Sequence, residues 1–133
     1  MNFCTMKKLF ICSILFLITS AHAVDHQIFN IAQDIPMGYK DEQVKRNYFV
    51  NLGSMQGVKN GTTLDVFRNV SVDNPYDTNK RMHYKVKIGE LQIIHSDSGA
   101  SIAKSKSFLD KNPELQLEIN AFMIGDHVAV SVK

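Results

Sequence analysis

The 133-residue chain has no tryptophan, only three prolines and only two cysteines, and both cysteines, Cys4 and Cys12, lie near its start. Lys7 and Lys8, the apolar run from Leu9 to Ile18 and the triplet Ala21-His22-Ala23 form a charged start, a hydrophobic stretch and an A-x-A cleavage site. That order reads as a secretory signal peptide over residues 1–23. A spanning helix needs roughly 20 apolar residues, and neither this run nor any later one is long enough. No integral membrane span is therefore expected once the leader is removed. The twin lysines and short apolar stretch suit a bacterial envelope protein, periplasmic, with the extracellular side as the alternative. Cys4 and Cys12 leave with the leader, so no disulfide, thiol nucleophile or thiolate ligand is expected.

Net charge is also lacking. Lys7 and Lys8 leave with the leader, so 13 of the 15 basic residues remain against 13 acidic ones, a net charge of zero. A nucleic-acid partner is not expected, because such proteins carry a basic footprint. Removing 23 of 133 residues leaves 110, enough for one small domain and not for two.

The mature chain shows no amphipathic helical pattern of useful length. Residues 24–47 are polar and mixed, with Ile35-Pro36-Met37-Gly38 extended or turning. They read as a short irregular arm, packed loosely along the domain or adding a strand to a neighbour's sheet edge. From Tyr48 the pattern alternates. Tyr48, Val50 and Leu52 share one strand face, and Leu64, Val66, Val70 and Val72 share another, interrupted by Arg68. Arg68 is expected at a bulge or at a barrel rim, reaching water. Gly53, Gly57 and Gly61 recur every fourth residue and read as a compact double turn, with Gly125 in a later turn. Residues 73–82 form a polar loop, expected to be the longest. Beyond it, Tyr84, Val86 and Ile88 share a face, and the parity flips across Gly89 to Leu91 and Ile93, which predicts a β-bulge. Residues 100–103 complete a hairpin, residues 108–113 read as a polar loop, and Leu115, Leu117 and Ile119 alternate as a further strand. Val128, Val130 and Val132 alternate as the last. The expected fold is all-β, a small SH3-like barrel of five or six strands over residues 48–133.

The run from Tyr48 to Arg68, with its G-V-x-x-G turn, followed by Lys87-Ile-Gly-Glu-Leu91, the Ala-rich strand of residues 98–103 and Ile124-Gly-Asp-His-Val128, resembles the C-terminal domain of the flagellar assembly protein T family. That family is a periplasmic component of the flagellar basal-body ring. The resemblance spans about Tyr48 to Val130 and implies a non-enzymatic, protein-binding module of a cell-envelope assembly.

No constellation of the residues competes with that expectation. The glycine ladder lacks the Gly-Lys-Ser/Thr of a phosphate loop and runs into a strand. His26, His83, His95 and His127 show no H-x-x-x-H spacing, so no metal site is assigned. No G-x-S-x-G is present, and Asp41-Glu42 and Glu114/Glu118 read as solvated carboxylates rather than a catalytic pair. No catalytic residue and no cofactor are expected. One surface feature stands out: Lys85 and Lys87 share the outward parity of their strand, with Lys80, Arg81 and Tyr76 close by in sequence. Such a cationic-aromatic patch would contact an acidic protein, peptidoglycan or another anionic ligand, or else only keep the strand soluble. An exported metal-dependent hydrolase, resting on scattered histidines and carboxylates, is the remaining alternative.

Overall fold

The computed structural model describes residues 25–132; the leader read at residues 1–23, with Cys4 and Cys12, lies outside the described residues. Six strands follow one another: β1 (Ile28–Gln33), β2 (Arg46–Val50), β3 (Thr63–Asp73), β4 (Arg81–Ser96), β5 (Ser101–Phe108) and β6 (His127–Val130). They form one antiparallel sheet in the order β1-β2-β5-β4-β3-β6. Among the described residues the only helical element is a single 3-10 turn at Ser54–Gln56.

The sheet curls until its two outer strands meet. Gln27 bridges His127. The Ile28 N–H donates to the Asp126 carbonyl at 2.9 Å, the Gly125 N–H to the Ile28 carbonyl at 2.8 Å, and the Val128 N–H to the His26 carbonyl at 2.9 Å. This contact, confined to residues 26–28 and 125–128, satisfies backbone groups there that an open edge would leave for other chains. It also corrects one expectation. The segment taken as an irregular arm contributes β1, and it pairs with β2 of its own sheet, not with a neighbour. Its strand character was hidden because only Ile28 and Ile31 face inward, while Phe29 is displaced outward at a bulge.

The expected faces meet inside. Tyr48, Val50, Leu52, Leu64, Val66, Ile88, Leu91, Ile93, Ala103 and Val128 form one buried cluster with Ile28, Val58 and Phe122. Phe122 stands edge-on to Tyr48 and Phe108, with ring centroids 5.4 and 5.1 Å apart, the arrangement in which ring edges and faces attract. The bulge expected at Gly89 is present. Val66 pairs with Gly89 and Phe67 with Lys87, so Ile88 is the extra residue, and both Ile88 and Leu91 end up fully buried. Gly89 is needed for space: a Cβ there would meet the Ser107 carbonyl oxygen and lie 2.8 Å from the Phe122 ring. Gly57, by contrast, is needed for conformation, with φ at +83° closing the 3-10 turn.

Further expectations are corrected. The barrel strand expected over residues 100–103 runs on to Phe108, whose ring packs against Phe122, and the expected loop follows from Leu109. Leu115, Leu117 and Ile119 are not in a strand; they lie in the irregular connection of residues 109–126, which is longer than the loop of residues 74–80. Side chains, not a ladder, hold that connection. Arg68 does lie at the barrel rim, one residue past the end of β6, but its side chain turns inward and is only 13% exposed. Its Nε and Nη2 donate to the two carboxylate oxygens of the buried Asp126 at 2.9 and 2.8 Å, its Nη1 to the Ile119 carbonyl at 2.9 Å, and its Nη2 to the Ala121 carbonyl at 2.6 Å.

Candidate functional site

β3 and β4 are longer than the barrel they build. β6 accompanies β3 only as far as Phe67, and β5 accompanies β4 only from Gly89 onward. Beyond those points the pair continues alone as a hairpin, from Arg68 opposite Val86 to Asp73 opposite Arg81. The tip turns through residues 74–80, where the Asn74 side-chain oxygen accepts from the Tyr76 N–H at 3.0 Å and the Asn74 carbonyl from the Asp77 N–H at 3.2 Å. Asn and Asp favour such turns because their side chains replace a backbone partner.

The hairpin has two unlike faces. One carries Arg81, His83, Lys85 and Lys87 from β4, opposite Asp73, Ser71, Asn69 and Phe67 from β3. The other carries Val70 opposite Tyr84 and Val72 opposite Met82. Tyr84, Met82 and Val72 are each about half exposed, at 52, 48 and 50%, and Tyr76 at the tip is 97% exposed. Residues 116–119 and Met123 lie across a cleft of about 410 Å³ from residues 68–72 of β3.

Of the five residues expected to form a cationic-aromatic patch, the structure brings Arg81, Lys85 and Lys87 onto one face, in a stripe about 20 Å long at the usual strand rise. Tyr76 and Lys80 sit at the tip instead. Most of the positive charge is already matched. Lys80 faces Asp77 at 3.8 Å, and Arg81 Nε donates to Asp73 at 2.7 Å. Lys87 lies 2.9 Å from Asp65 and 3.2 Å from Glu90. The Asp65 contact is an ion pair without good hydrogen-bond angles, since that Asp65 oxygen is buried with no hydrogen-bond partner among the described residues. The carboxylate of Asp65 beside the ammonium, with Glu90 adding to it, holds the Lys87 pKa above its ordinary value against the opposing pull of burial. Of these hairpin cations, Lys85 is the one with no carboxylate at ion-pair distance among the described residues; its ammonium lies 5.1 Å from the centre of the Phe67 ring.

A second concavity, of about 860 Å³, opens between the start of β2, the middle of β5 and residues 120–122. It is lined by Lys45, Arg46 and Lys104 above Tyr48, Phe108 and Phe122, with no carboxylate among its lining residues. Sequence reasoning did not find it, because its cations come from strands far apart in the chain.

The histidines are dispersed. The His26 Nδ1 is 3.0 Å from the Asn51 carbonyl and the His127 Nε2 3.1 Å from the Asn69 amide nitrogen. His83 lies in the hairpin and His95 near the end of β4. Among the described residues no three histidines and carboxylates are grouped to hold a metal ion, and no helix is long and apolar enough to cross a membrane. Of the glycines expected in turns, Gly57, Gly61 and Gly125 have positive φ. Gly53 is extended instead and packs against residues 97–100. Compared with protein-family models and with curated proteins, the chain matches none.

Proposed function

We propose that this chain is a non-enzymatic, exported protein-binding module of a bacterial cell-envelope assembly, and that the β3–β4 hairpin is its docking element. The resemblance noted in the sequence points to the flagellar basal body as that assembly. One observation carries the reading. The hairpin extends beyond the core, contributes little to it, and holds Val72, Met82 and Tyr84 half exposed in one row. Exposed apolar rows are what protein interfaces use. The opposite face is less suited to an anionic polymer, because three of its four cations, counting Lys80 at the tip, are already paired with carboxylates.

The test is photo-crosslinking in the native envelope, with the crosslinker placed at Tyr84 and, separately, at Asp25 on the far side of the chain order. A discrete adduct with another envelope protein from Tyr84, lost in Met82→Ser/Tyr84→Ser without a change in thermal midpoint, supports the proposal. Recovery of uncrosslinked protein alone overturns it.

The 860 Å³ concavity supports a second reading, a binder of peptidoglycan or another anionic ligand, with Lys45, Arg46 and Lys104 as its cations. That reading requires sedimentation with peptidoglycan at low salt that Lys45/Arg46/Lys104→Ala abolishes, and no sedimentation removes it.

A further inference from the structure

The ladder between β2 and β5 is short. It covers only Tyr48 to Val50 against Ser101 to Ala103, although β2 begins at Arg46 and β5 continues to Phe108. The next pair in register, Asn47 with Lys104, is not formed. The two strands splay there, and the concavity of about 860 Å³ is the slot between them. Residues of both parities line it, Arg46 and Asn47 on one wall and Lys104 and Ser105 on the other. Exposure agrees. Arg46 shares its parity with the buried Tyr48, and Ser105 with the buried Ala103, yet both are exposed.

Backbone groups aim into the slot from both walls. The Lys45 carbonyl accepts from the Asp34 N–H on the β1 side, so across the trans peptide the Arg46 N–H points toward β5. Tyr48 faces β5 in the same sense and pairs with Ala103. No bulge separates Ala103 from Ser105, so Ser105 also turns its N–H and C=O toward the β2 side. The Leu109 N–H donates to the Ile88 carbonyl of β4, so the Phe108 carbonyl points away from β4, toward the slot. Side chains add charge. Among the described residues Lys45, Arg46 and Lys104 have no carboxylate at ion-pair distance. Tyr48, Phe108 and Phe122, stacked edge to face, form the floor.

We infer that this slot takes an extended acidic peptide segment, which pairs antiparallel to β5 from Lys104 to Phe108, in the place that β2 vacates. The inference rests on the second reading of the concavity, as a site for anionic ligands, and names the class of ligand; it does not depend on the hairpin. Open strand edges recognise a peptide backbone, which neither a glycan nor a phosphate group reproduces. The cations without counter-charges select carboxylates. At the strand rise the open stretch of β5 accommodates a segment of about five residues. Alternation divides its side chains between two environments. Those facing inward lie over Phe108 and Phe122 and are small or apolar. Those facing outward lie beside Lys104, whose parity is opposite to that of the buried Ala103, and are acidic.

The test is selection from a library of random peptides displayed on phage against the purified protein, followed by calorimetric titration of a synthetic copy of the enriched peptide. Acidic sequences with alternating apolar residues are expected, with a Kd of roughly 10–100 μM that weakens as salt is raised. Lys45→Glu and Lys104→Glu should each weaken binding about ten-fold. Both should keep the parent thermal midpoint, since both side chains are exposed. N-methylation of alternate peptide amides, in at least one of the two phases, should abolish binding, because it removes backbone donors and leaves the charge. Should either protein variant misfold, the methylated peptides still decide, since they leave the protein unaltered. No enrichment, enrichment of basic or uncharged sequences alone, acidic peptides indifferent to Lys45 and Lys104, or full binding by both methylated peptides overturns the inference. Sedimentation with peptidoglycan that Lys45/Arg46/Lys104→Ala abolishes would then leave the cationic site standing without a peptide strand, so the two failures are distinguishable.

Discussion

Arg68 ties three parts of the molecule together at once. Its guanidinium grips the buried Asp126, whose second role is to accept from the Met123 N–H at 2.7 Å, and it also holds the carbonyls of Ile119 and Ala121. The pair is only 13 and 5% exposed, so removing one partner strands a charge in a dry place. Arg68→Ala is expected to cost about 3–5 kcal/mol in urea unfolding, and Arg68→Lys a substantial part of that, because an ammonium cannot reproduce the fork. Gly89→Ala should cost about 1–3 kcal/mol through overpacking against Ser107 and Phe122. Lys87 gives a pH signature. Its folded pKa is raised above 10.5 by Asp65 and Glu90, so the contribution of this ion pair is complete below that pH. It is lost as pH rises through the higher folded value. Unfolding midpoints measured from pH 8 upward should fall more steeply above about pH 10.5 in the parent than in Lys87→Met.

Strands and hairpin differ in how firmly they are held. The barrel portions of β3 and β4 are flanked on both sides, whereas past Phe67 and before Gly89 each has one neighbour and mostly exposed side chains. Native-state hydrogen exchange should show this. Amides of Val70, Val72, Met82 and Tyr84 are expected to exchange by local opening, faster than those of Leu64, Val66, Leu91 and Ile93, which need global unfolding. Uniform protection along β3 would mean that the hairpin is part of the core's cooperative unit. The period-two pattern made most barrel strands legible, and the parity flip at Gly89 located the bulge, because a single extra residue moves every later side chain to the other face. The pattern misled at Leu115, Leu117 and Ile119, where alternation arises in an irregular segment anchored by Arg68, a contact between residues 51 apart. It also gave no sign that Tyr84 and Val72 leave the core, because they share parity with Ile88 and Leu64. Periodicity reports which face a residue takes, not where the barrel ends. The length of β4, 16 residues against about 5–6 for an ordinary strand, was the available signal of a projecting hairpin.

Closure makes the whole molecule depend on its two ends. Ile28 in β1 is fully buried, and the bonds that join it to residues 125 and 126 connect parts of the chain nearly a hundred residues apart. Such non-local contacts form late and hold only when the rest is in place. Ile28→Ala should remove about 2–5 kcal/mol. A domain of this size has a total margin of about 5–15 kcal/mol, so that variant should still fold, with a lowered midpoint. Starting the chain at Asp34 is a larger loss. It removes Ile28 and Ile31 from the core, withdraws the partners of Asp126, Gly125 and Val128, and bares the edge of β2 from Arg46 to Val50. The expected outcome is loss of the cooperative thermal transition and association through the bared edge, read by calorimetry and size-exclusion chromatography. A chain starting at Asp25 should behave as the parent. If the shorter chain kept the parent midpoint, β1 would be an appendage on an open sheet, and the stability of the fold would have to come from the five remaining strands alone.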